Sequence, residues 1–334
     1  MYYAHRLADN PDEDAYPLRI DGAANWSPRT NIDGALVGSL WRASIALPEV
    51  PCGHIIVPSF SMLGGDYQYQ VALVDATTGQ SNRLNPLLTA AENLVNWPEK
   101  CADLMAVSAQ IDCWHSESEL LDIGLVITVQ SVQAPSNYIL ALSIREISLT
   151  TTFSATKSVL QDPPRAISQM SAEANLRNRI CSPTSLAMVH ASLTGKMAFA
   201  QIVDDCYDPA TKAYGKWPLA VYAANTRNLV GAVESLASWE SVAEILAKRW
   251  FIVCSIRFKK DTLTGAPLEQ SAGHLVLLYG IDVSDPEQPT VLVMDPAGPT
   301  SGEVRRRYKL REFAQAWLDY RGGAYILNQA TFST

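Results

Sequence analysis

The chain has 334 residues, of which 48% are hydrophobic and 18% are charged, and its formal net charge is −8. This length leaves room for two domains with sizeable cores. The acidic balance argues against a general nucleic-acid-binding protein, which would carry a basic patch. The one basic run, residues 305–309, is typical of a solvated edge strand or of a rim that binds an acidic substrate. No apolar stretch reaches about eighteen residues, so we expect no membrane span.

Cysteine usage and the N-terminal residues bear on the compartment. Residues 1–10 lack the apolar segment of a secretory signal. The six cysteines, at positions 52, 101, 113, 181, 206 and 254, show neither metal-type pairs nor the density of a disulfide scaffold. A cytoplasmic protein is the simplest interpretation, although a secreted protein that had lost its signal would look the same. We find no metal, phosphate-loop or dinucleotide motif, and therefore expect neither a metal nor an organic cofactor.

Residues 1–155 are predicted to form an accessory domain of β-structure. Its first 35 residues are polar and interrupted by prolines, and we expect them to wrap the domain as an irregular arm. Six or more short apolar runs then follow, separated by glycine, proline and asparagine clusters, which favours a β-sandwich or jelly roll. Residues 81–100 are predicted to be a short helix or a long loop. The candidate strands are Val37–Ala46, Gly53–Phe60, Tyr67–Asp75, Leu104–Cys113, Leu121–Val129 and Tyr138–Thr150.

Residues 165–334 are predicted to be a second domain that mixes helices and strands, after a linker at about residues 151–166. Ser238 is placed to cap a helix that continues through Leu246. Apolar runs at 251–257, 274–279, 290–294 and 323–328 are predicted to form an antiparallel sheet behind a helix that starts at Cys181. The fold class is therefore α+β, with the β-rich domain first.

Cys181 is the strongest candidate for a reactive residue. Pro183 suits the first turn of a helix, and Leu186 and Val189 continue the chain at helical spacing. Free N–H groups and the positive end of the helix dipole would then lie beside the sulfur and favour the nucleophilic thiolate. A lone cysteine is more often a small buried apolar residue, so this interpretation depends on partners further along the chain.

A histidine and an aspartate stand at the ends of two predicted strands. His274 precedes the apolar run 275–279, and Asp295 follows the run 291–294. The loop between the runs is rich in turn-forming residues, so an antiparallel hairpin would bring both side chains to one end of the sheet. Together with Cys181 they would supply a base, an orienting group and a nucleophile.

These segments resemble the C39-like branch of the papain-like cysteine peptidases. That branch typically shows a Cys-Gly-Pro-[Ser/Thr]-Ser-Leu-Ala-Met helix start, a Gly-x-Trp-x element, a Gly-His-Leu-Val-Val strand and an Asn-Asp-Pro-Ala turn, followed by a closing Tyr…Phe…Ala-Trp segment. The resemblance covers roughly residues 165–330. The matching segments of this chain are Cys181–Met188, Tyr214–Pro218, Gly273–Val276, Met294–Ala297, and Tyr308 with Phe313–Trp317.

The resemblance implies a cysteine peptidase or amidase that acts on a peptide or protein substrate through an acyl-thioester intermediate. It implies a triad of Cys181, His274 and Asp295, and a glutamine upstream of the nucleophile that helps to bind the oxyanion. Gln169 is the matching glutamine, and Gln161, further away in the linker, is the alternative. His190 lies nine residues along the predicted helix from Cys181, about 13 Å away, and is too distant to be the base.

Two departures from the family pattern keep other functions open. Ser182 stands where the family usually has glycine, and serine resists some backbone angles that glycine permits. Residues 247–253 lack the Gly-x-Pro that often precedes the next strand. One alternative is a catalytically inactive papain-fold binding protein whose β-sandwich recognises a glycan or a protein partner. Another keeps the triad for transamidation or for a non-peptide amide. Some bacterial relatives carry a similar β-rich domain, in which a Gln-Asp element such as Gln110–Asp112 recurs.

Overall fold

The computed structural model describes residues 1–9, 16–29, 39–64, 66–84, 103–153 and 157–330. The chain divides into two compact units, Met1–Pro11 with Ile20–Glu146 and Asp12–Arg19 with Ile147–Thr334. The division differs from the linker predicted at 151–166. Residues after 146 belong to the second unit because Leu149 donates its N–H to the Asp319 carbonyl (2.9 Å), and the Thr151 hydroxyl donates to the Asp319 carboxylate (2.6 Å).

The first unit contains two five-stranded antiparallel sheets in its described residues. Ring contacts join the sheets: Phe60 lies 5.4 Å from Tyr69 on the other sheet and 6.1 Å from Tyr138 on its own. The more specific β-sandwich or jelly-roll topology stays a prediction. In chain order the strands are β1 (Tyr2–Ala8), β2 (Ser27–Arg29), β3 (Ser39–Ala46), β4 (His54–Met62), β5 (Gln68–Asp75), β6 (Ser81–Arg83), β7 (Val107–Ala109), β8 (Trp114–Ser116), β9 (Ile123–Ser131) and β10 (Tyr138–Glu146). The sheet orders are β1-β10-β4-β8-β7 and β2-β3-β9-β5-β6.

Three expectations for this half of the chain need correction or fall outside the description. The strand predicted at Leu104–Cys113 is shorter than expected and comprises only Val107–Ala109, because Gln110 donates its N–H to the Cys113 carbonyl (2.8 Å) and turns the chain into the β7–β8 hairpin. Of the predicted helix or loop at 81–100, residues 81–83 form β6 and residues 85–100 lie outside the described part. The first 35 residues, expected to form an irregular arm around the β-rich domain, contain two regular strands, Tyr2–Ala8 and Ser27–Arg29, and residues 16–19 belong to the second unit.

The second unit is built on a seven-stranded sheet in the order β12-β17-β13-β14-β15-β16, with β11 paired to β14. The four strands predicted from the sequence fall within β13, β14, β15 and β17. The elements are β11 (Val159–Leu160), α1 (Cys181–Thr194), α2 (Phe199–Asp205), α3 (Trp217–Asn225), β12 (Leu229–Ser235), α4 (Trp239–Ala247), β13 (Phe251–Phe258), β14 (Ser271–Asp282), β15 (Thr290–Met294), β16 (Arg305–Lys309), α5 (Leu310–Ala316) and β17 (Gly323–Gln329), with 3-10 turns at Gln169–Ser171 and Ser301–Glu303.

Helix packing against this sheet positions the start of α1. The helix contacts β13, β14 and β17, and Leu186 and Val189 are fully buried. The predicted cap of α4 is present, because the Ser238 hydroxyl accepts the Ser241 N–H at 3.2 Å. Among the helices of the described residues, none has both the length and the apolar character needed to cross a bilayer.

Candidate active site

Local hydrogen bonds hold Cys181 at the first turn of α1. The Thr184 hydroxyl donates to the Ile180 carbonyl (2.6 Å), which ties the turn to the residue before the helix. The Ser185 hydroxyl donates to the Leu275 carbonyl (3.0 Å) on β14. Cys181 is partly exposed, while the rest of the first turn is buried. The helix start is therefore fastened to the strand that carries His274.

Ser182 does not distort this turn. It lies inside α1 and is not among the residues with positive φ, so its position does not need the backbone freedom of glycine. Its hydroxyl lies 2.9 Å from the Tyr325 hydroxyl on β17. The expected conflict between serine and the backbone at this position is therefore absent, and the side chain instead links α1 to the sheet.

The hairpin of β14 and β15 brings His274 and Asp295 together. Leu277 pairs with Met294 in antiparallel register, so the residue after β15 lies beside the start of β14. His274 Nε2 donates to Asp295 Oδ1 at 2.8 Å. Both side chains are buried, with 2% of His274 and 0% of Asp295 exposed, so their contact is shielded from water.

Three donors surround the Asp295 carboxylate. Besides His274, the Ala297 N–H donates to Oδ1 at 3.0 Å, and the Tyr308 hydroxyl donates to Oδ2 at 2.7 Å. Burial alone would raise the pKa of Asp295, but the His274 charge and these hydrogen bonds outweigh it and hold the pKa below its usual value. Asp295 is therefore ionised, and hydrogen bonds to both of its carboxylate oxygens fix its orientation.

The same contacts change the pKa of His274 in the opposite direction. Burial alone would lower the pKa of the imidazole, but the Asp295 charge, the hydrogen bond from Nε2 and the Cys181 sulfur raise it well above its usual value. Because Nε2 is engaged by Asp295, Nδ1 is the ring nitrogen left for the sulfur. The imidazolium is thus stabilised between two groups that can carry negative charge.

Cys181 is the thiol whose ionisation this environment favours. Burial alone would raise its pKa, but the hydrogen bond and charge of His274, and the N–H groups of Leu275 and Ser182, lower it below the usual value. Burial instead raises the pKa of Cys206 to about 12 and that of Cys254 well above its usual value. Of these three cysteines, Cys181 is therefore the one whose thiol ionises most readily.

Gln169 lies beside this cluster, and Gln161 does not. The Gln169 backbone N–H donates to the Pro296 carbonyl (2.9 Å), next to Asp295, and its side-chain Nε2 donates to the Arg177 carbonyl (2.6 Å). The Gln161 amide donates to the carbonyls of both Leu246 and Trp250 at 3.0 Å, so both its hydrogens are used. Among the described residues, the Gln169 amide has a single acceptor, the Arg177 carbonyl, which uses one of its two hydrogens.

His190 has a different environment from His274. His190 lies in the second half of α1, where its Nε2 is 3.5 Å from the Thr194 hydroxyl, and burial lowers its pKa. Within the described part of the chain, no three histidine, cysteine or carboxylate side chains converge as they would around a metal ion.

Tyr308 is the site residue whose role the sequence analysis missed. The sequence suggested it only as part of the closing motif, within a basic run. The sequence carries no signal of this role, but the structure shows it: in β16 the residues 305, 307 and 309 are exposed, whereas Tyr308 is 1% exposed. An aromatic residue on the inner face of an otherwise basic edge strand needs a partner for its hydroxyl, and that partner is Asp295.

Comparison with known proteins agrees with the motifs. Residues 164–325 match the model of the Peptidase_C39 like family. No curated protein and no solved structure matches the chain significantly. The family match coincides with the region that carries Cys181, His274 and Asp295, as the sequence resemblance predicted. Residues 164–325 of this chain therefore form a domain of the Peptidase_C39 like family.

Proposed function

We propose that the second unit is a cysteine-dependent hydrolase that cleaves peptide or amide bonds through an acyl-thioester intermediate. The observation that carries the proposal is the buried hydrogen bond of 2.8 Å from the His274 ring to the Asp295 carboxylate, on a strand that is bonded to the start of α1, where Cys181 lies. A lowered thiol pKa beside a raised imidazole pKa is the ionisation that a cysteine nucleophile needs.

In the first half of the reaction, the Cys181 thiolate attacks the substrate carbonyl carbon and forms a C–S bond. The carbonyl oxygen takes the displaced electron pair. When the tetrahedral intermediate collapses, the C–N bond breaks and the His274 imidazolium gives its proton to the leaving amine. Asp295 keeps the ring oriented and stabilises its positive charge.

In the second half, neutral His274 takes a proton from water, which attacks the thioester carbonyl. The C–S bond then breaks, the acid leaves and the thiolate–imidazolium pair is restored. We propose that the Cys181 backbone N–H and the Gln169 side-chain amide bind the oxyanion in both halves. The first N–H of a helix has no intrahelical acceptor, and within the described part of the chain only one of the two Gln169 amide hydrogens has an acceptor.

The test uses the full-length protein and a cysteine-directed peptidyl acyloxymethyl ketone probe. We expect labelling of the unmodified protein and of Cys52→Ala, which removes an exposed cysteine of the first unit as a matched control. Cys181→Ala should not be labelled. Labelling that persists in Cys181→Ala, or is absent throughout, would favour the catalytically inactive binding protein.

Hydrolysis and transamidation are separated by the fate of the acyl group. Peptides turned over in water enriched in ¹⁸O should gain one heavy oxygen in each new carboxylate if water is the acceptor. Products that instead incorporate an added amine, without ¹⁸O, would identify a transamidase that uses the same triad.

We also propose that the first unit is a β-sandwich accessory domain that binds a glycan or a protein. Its two antiparallel sheets and the aromatic contacts between them support this proposal. Full-length Cys181→Ala, applied to an array of glycans and to immobilised candidate proteins, tests the ligand. The absence of binding to either class would remove this role from the first unit.

A further inference from the structure

The chain that leads into the nucleophile carries a positive charge without an acidic partner. Arg179 is exposed and lies two residues before Cys181. Its guanidinium donates to the Lys212 carbonyl and lies 5.5 Å from the centre of the Tyr214 ring. Among the described residues no carboxylate pairs with it. In a chain of net charge −8, an arginine held in place beside the nucleophile but left unneutralised needs an explanation.

A rigid turn supports this arginine. Asp208 and Ala213 pair with each other through their backbones. The Asp208 side chain accepts the Ala210 N–H (3.2 Å) and the Thr211 hydroxyl (2.7 Å), which closes the turn. The turn holds the aromatic residues on either side of it, Tyr207 and Tyr214, with ring centres 5.1 Å apart.

The Arg179 guanidinium therefore lies over the Tyr214 ring, which contacts the Tyr207 ring at an interplanar angle of 43°. We name these three residues the Arg179 stack. Tyr207 is 40% exposed at its outer end. Stacking on an aromatic face orients a guanidinium and leaves its edge available for hydrogen bonds. An arginine fork of this kind binds carboxylates with two parallel hydrogen bonds.

The stack is also connected to the candidate active site on two sides. The loop that carries it runs from the Arg177 carbonyl, which accepts the Gln169 amide at 2.6 Å, directly into Cys181. The turn at 208–213 is followed by Gly215 and then by α3. Gly215 is exposed and has open space around it. Arg179 therefore lies in the short segment between Arg177, which accepts the Gln169 amide, and Cys181, and we expect its exposed guanidinium to be accessible to a substrate bound at the sulfur.

We propose that the Arg179 stack binds the side-chain carboxylate of an acidic residue in the substrate, and so selects acidic peptides. This inference rests on the proposed function, and it names the substrate class for that site. The exposed tyrosine at the end of the stack adds an apolar surface for the chain around the acidic residue.

The first experiment measures the positive field at the nucleophile without needing a substrate. Iodoacetate and iodoacetamide alkylate the same thiol, but only iodoacetate carries a carboxylate. The ratio of the iodoacetate to the iodoacetamide rate constant at Cys181 should fall severalfold in Arg179→Gln, because the substitution removes a positive charge that attracts the carboxylate of iodoacetate. Salt at about 1 M should abolish most of the difference.

Lys196→Gln is the matched control, because it removes an exposed positive charge at the far end of α1. Its rate ratio should equal that of the unmodified protein. Arg179→Lys keeps the charge but loses the planar fork, so it should retain most of the ratio. A ratio that is unchanged in Arg179→Gln, or that falls equally in Lys196→Gln, would overturn the proposal.

The second experiment identifies the substrate class. A peptide library is digested with the full-length protein, and the cleaved sequences are read by mass spectrometry, with Cys181→Ala as the blank. We expect glutamate and aspartate to be enriched at one position near the cleaved bond, and the enrichment to disappear in Arg179→Gln. Cleavage that depends on Cys181 but shows no acidic preference overturns the acidic-substrate proposal. If no Cys181-dependent cleavage occurs, the peptidase proposal fails, and the alkylation ratio alone decides whether the stack binds carboxylates.

Discussion

Tyr308→Phe tests whether the candidate triad works as a unit. The substitution keeps the ring, which stacks on Phe313 at 6.1 Å, and removes only the hydroxyl that donates to Asp295 Oδ2 at 2.7 Å. Asp295 then keeps its contacts with His274 and the Ala297 N–H but loses the donor that orients its second oxygen. Tyr308 is a positioning residue in this scheme, since it acts on His274 through Asp295.

The magnitude follows from the kind of bond that is lost. A hydrogen bond to a charged group contributes about 1.5–3 kcal/mol. Because the bond favours the ionised carboxylate, its loss should raise the pKa of Asp295 by about 1–2, at about 1.4 kcal/mol for a change of one. A less stable carboxylate stabilises the His274 imidazolium less, so the pKa of the Cys181 thiol should also rise. The thiolate is lost as pH falls through that pKa, and the acid limb of alkylation should therefore move to higher pH.

The assay is the rate of Cys181 alkylation by iodoacetamide between about pH 4 and pH 8, read by mass spectrometry, with thermal unfolding measured in parallel. Tyr16→Phe is the matched control, because Tyr16 donates to the buried Glu234 carboxylate at 3.0 Å. Glu234 lies on β12, which β17 and β13 separate from β14. Each variant should lose about 3–12 °C in the melting temperature of the second unit.

Only Tyr308→Phe should move the pH profile. If both variants melt earlier and neither changes the acid limb, Tyr308 has a purely structural role and the argument for a coupled triad is refuted. If Tyr16→Phe moves the limb as much as Tyr308→Phe does, the effect comes from general loosening of the fold.

Three further results are expected. At pH 6, iodoacetamide should modify Cys181 of the unmodified protein before the other described cysteines. His274→Ala should slow this alkylation and abolish turnover. His190→Ala should change neither the alkylation rate nor the turnover. Asp295→Ala should lower kcat less than Cys181→Ala does, because an orienting group is one part of the catalytic unit, and equal losses would show that Asp295 does more than orient. Arg249→Gly should stabilise the protein by about 0.5–1 kcal/mol in urea unfolding, because Arg249 has φ of 62°.

The sequence was informative where the chemistry is local. Pro183 and the apolar spacing that follows it predicted the start of α1, and that helix begins at Cys181. The two apolar runs around a turn-rich loop predicted a hairpin, whose register places Asp295 beside His274. These arguments needed only helix-start preferences and strand pairing between neighbours in the chain.

Contacts between segments that are distant in the chain could not be predicted from the sequence. The hydrogen bond from Tyr308 to Asp295 depends on the pairing of β15 with β16, in which Val291 lies opposite Tyr308. The pairing of residues 16–19 with the second unit depends on Tyr16 reaching Glu234, 218 residues away. Neither contact leaves a periodic signal, because each depends on a single side chain and on the packing of the whole unit.

The two departures from the family pattern have different structural consequences. Ser182 adopts helical backbone angles inside α1 and gains a partner in Tyr325, so replacing glycine there costs no backbone strain. Arg249 follows α4, where a left-handed residue ends the helix and a glycine is normally preferred. Its cost is of the order of 1 kcal/mol and falls on stability, since residues 249 and 250 bond back to Leu246 and Ile245. Ser182, which raised the question of an inactive protein, therefore leaves α1 intact. The other departure, at Arg249, affects the end of α4, and this helix contributes no residue to the candidate site.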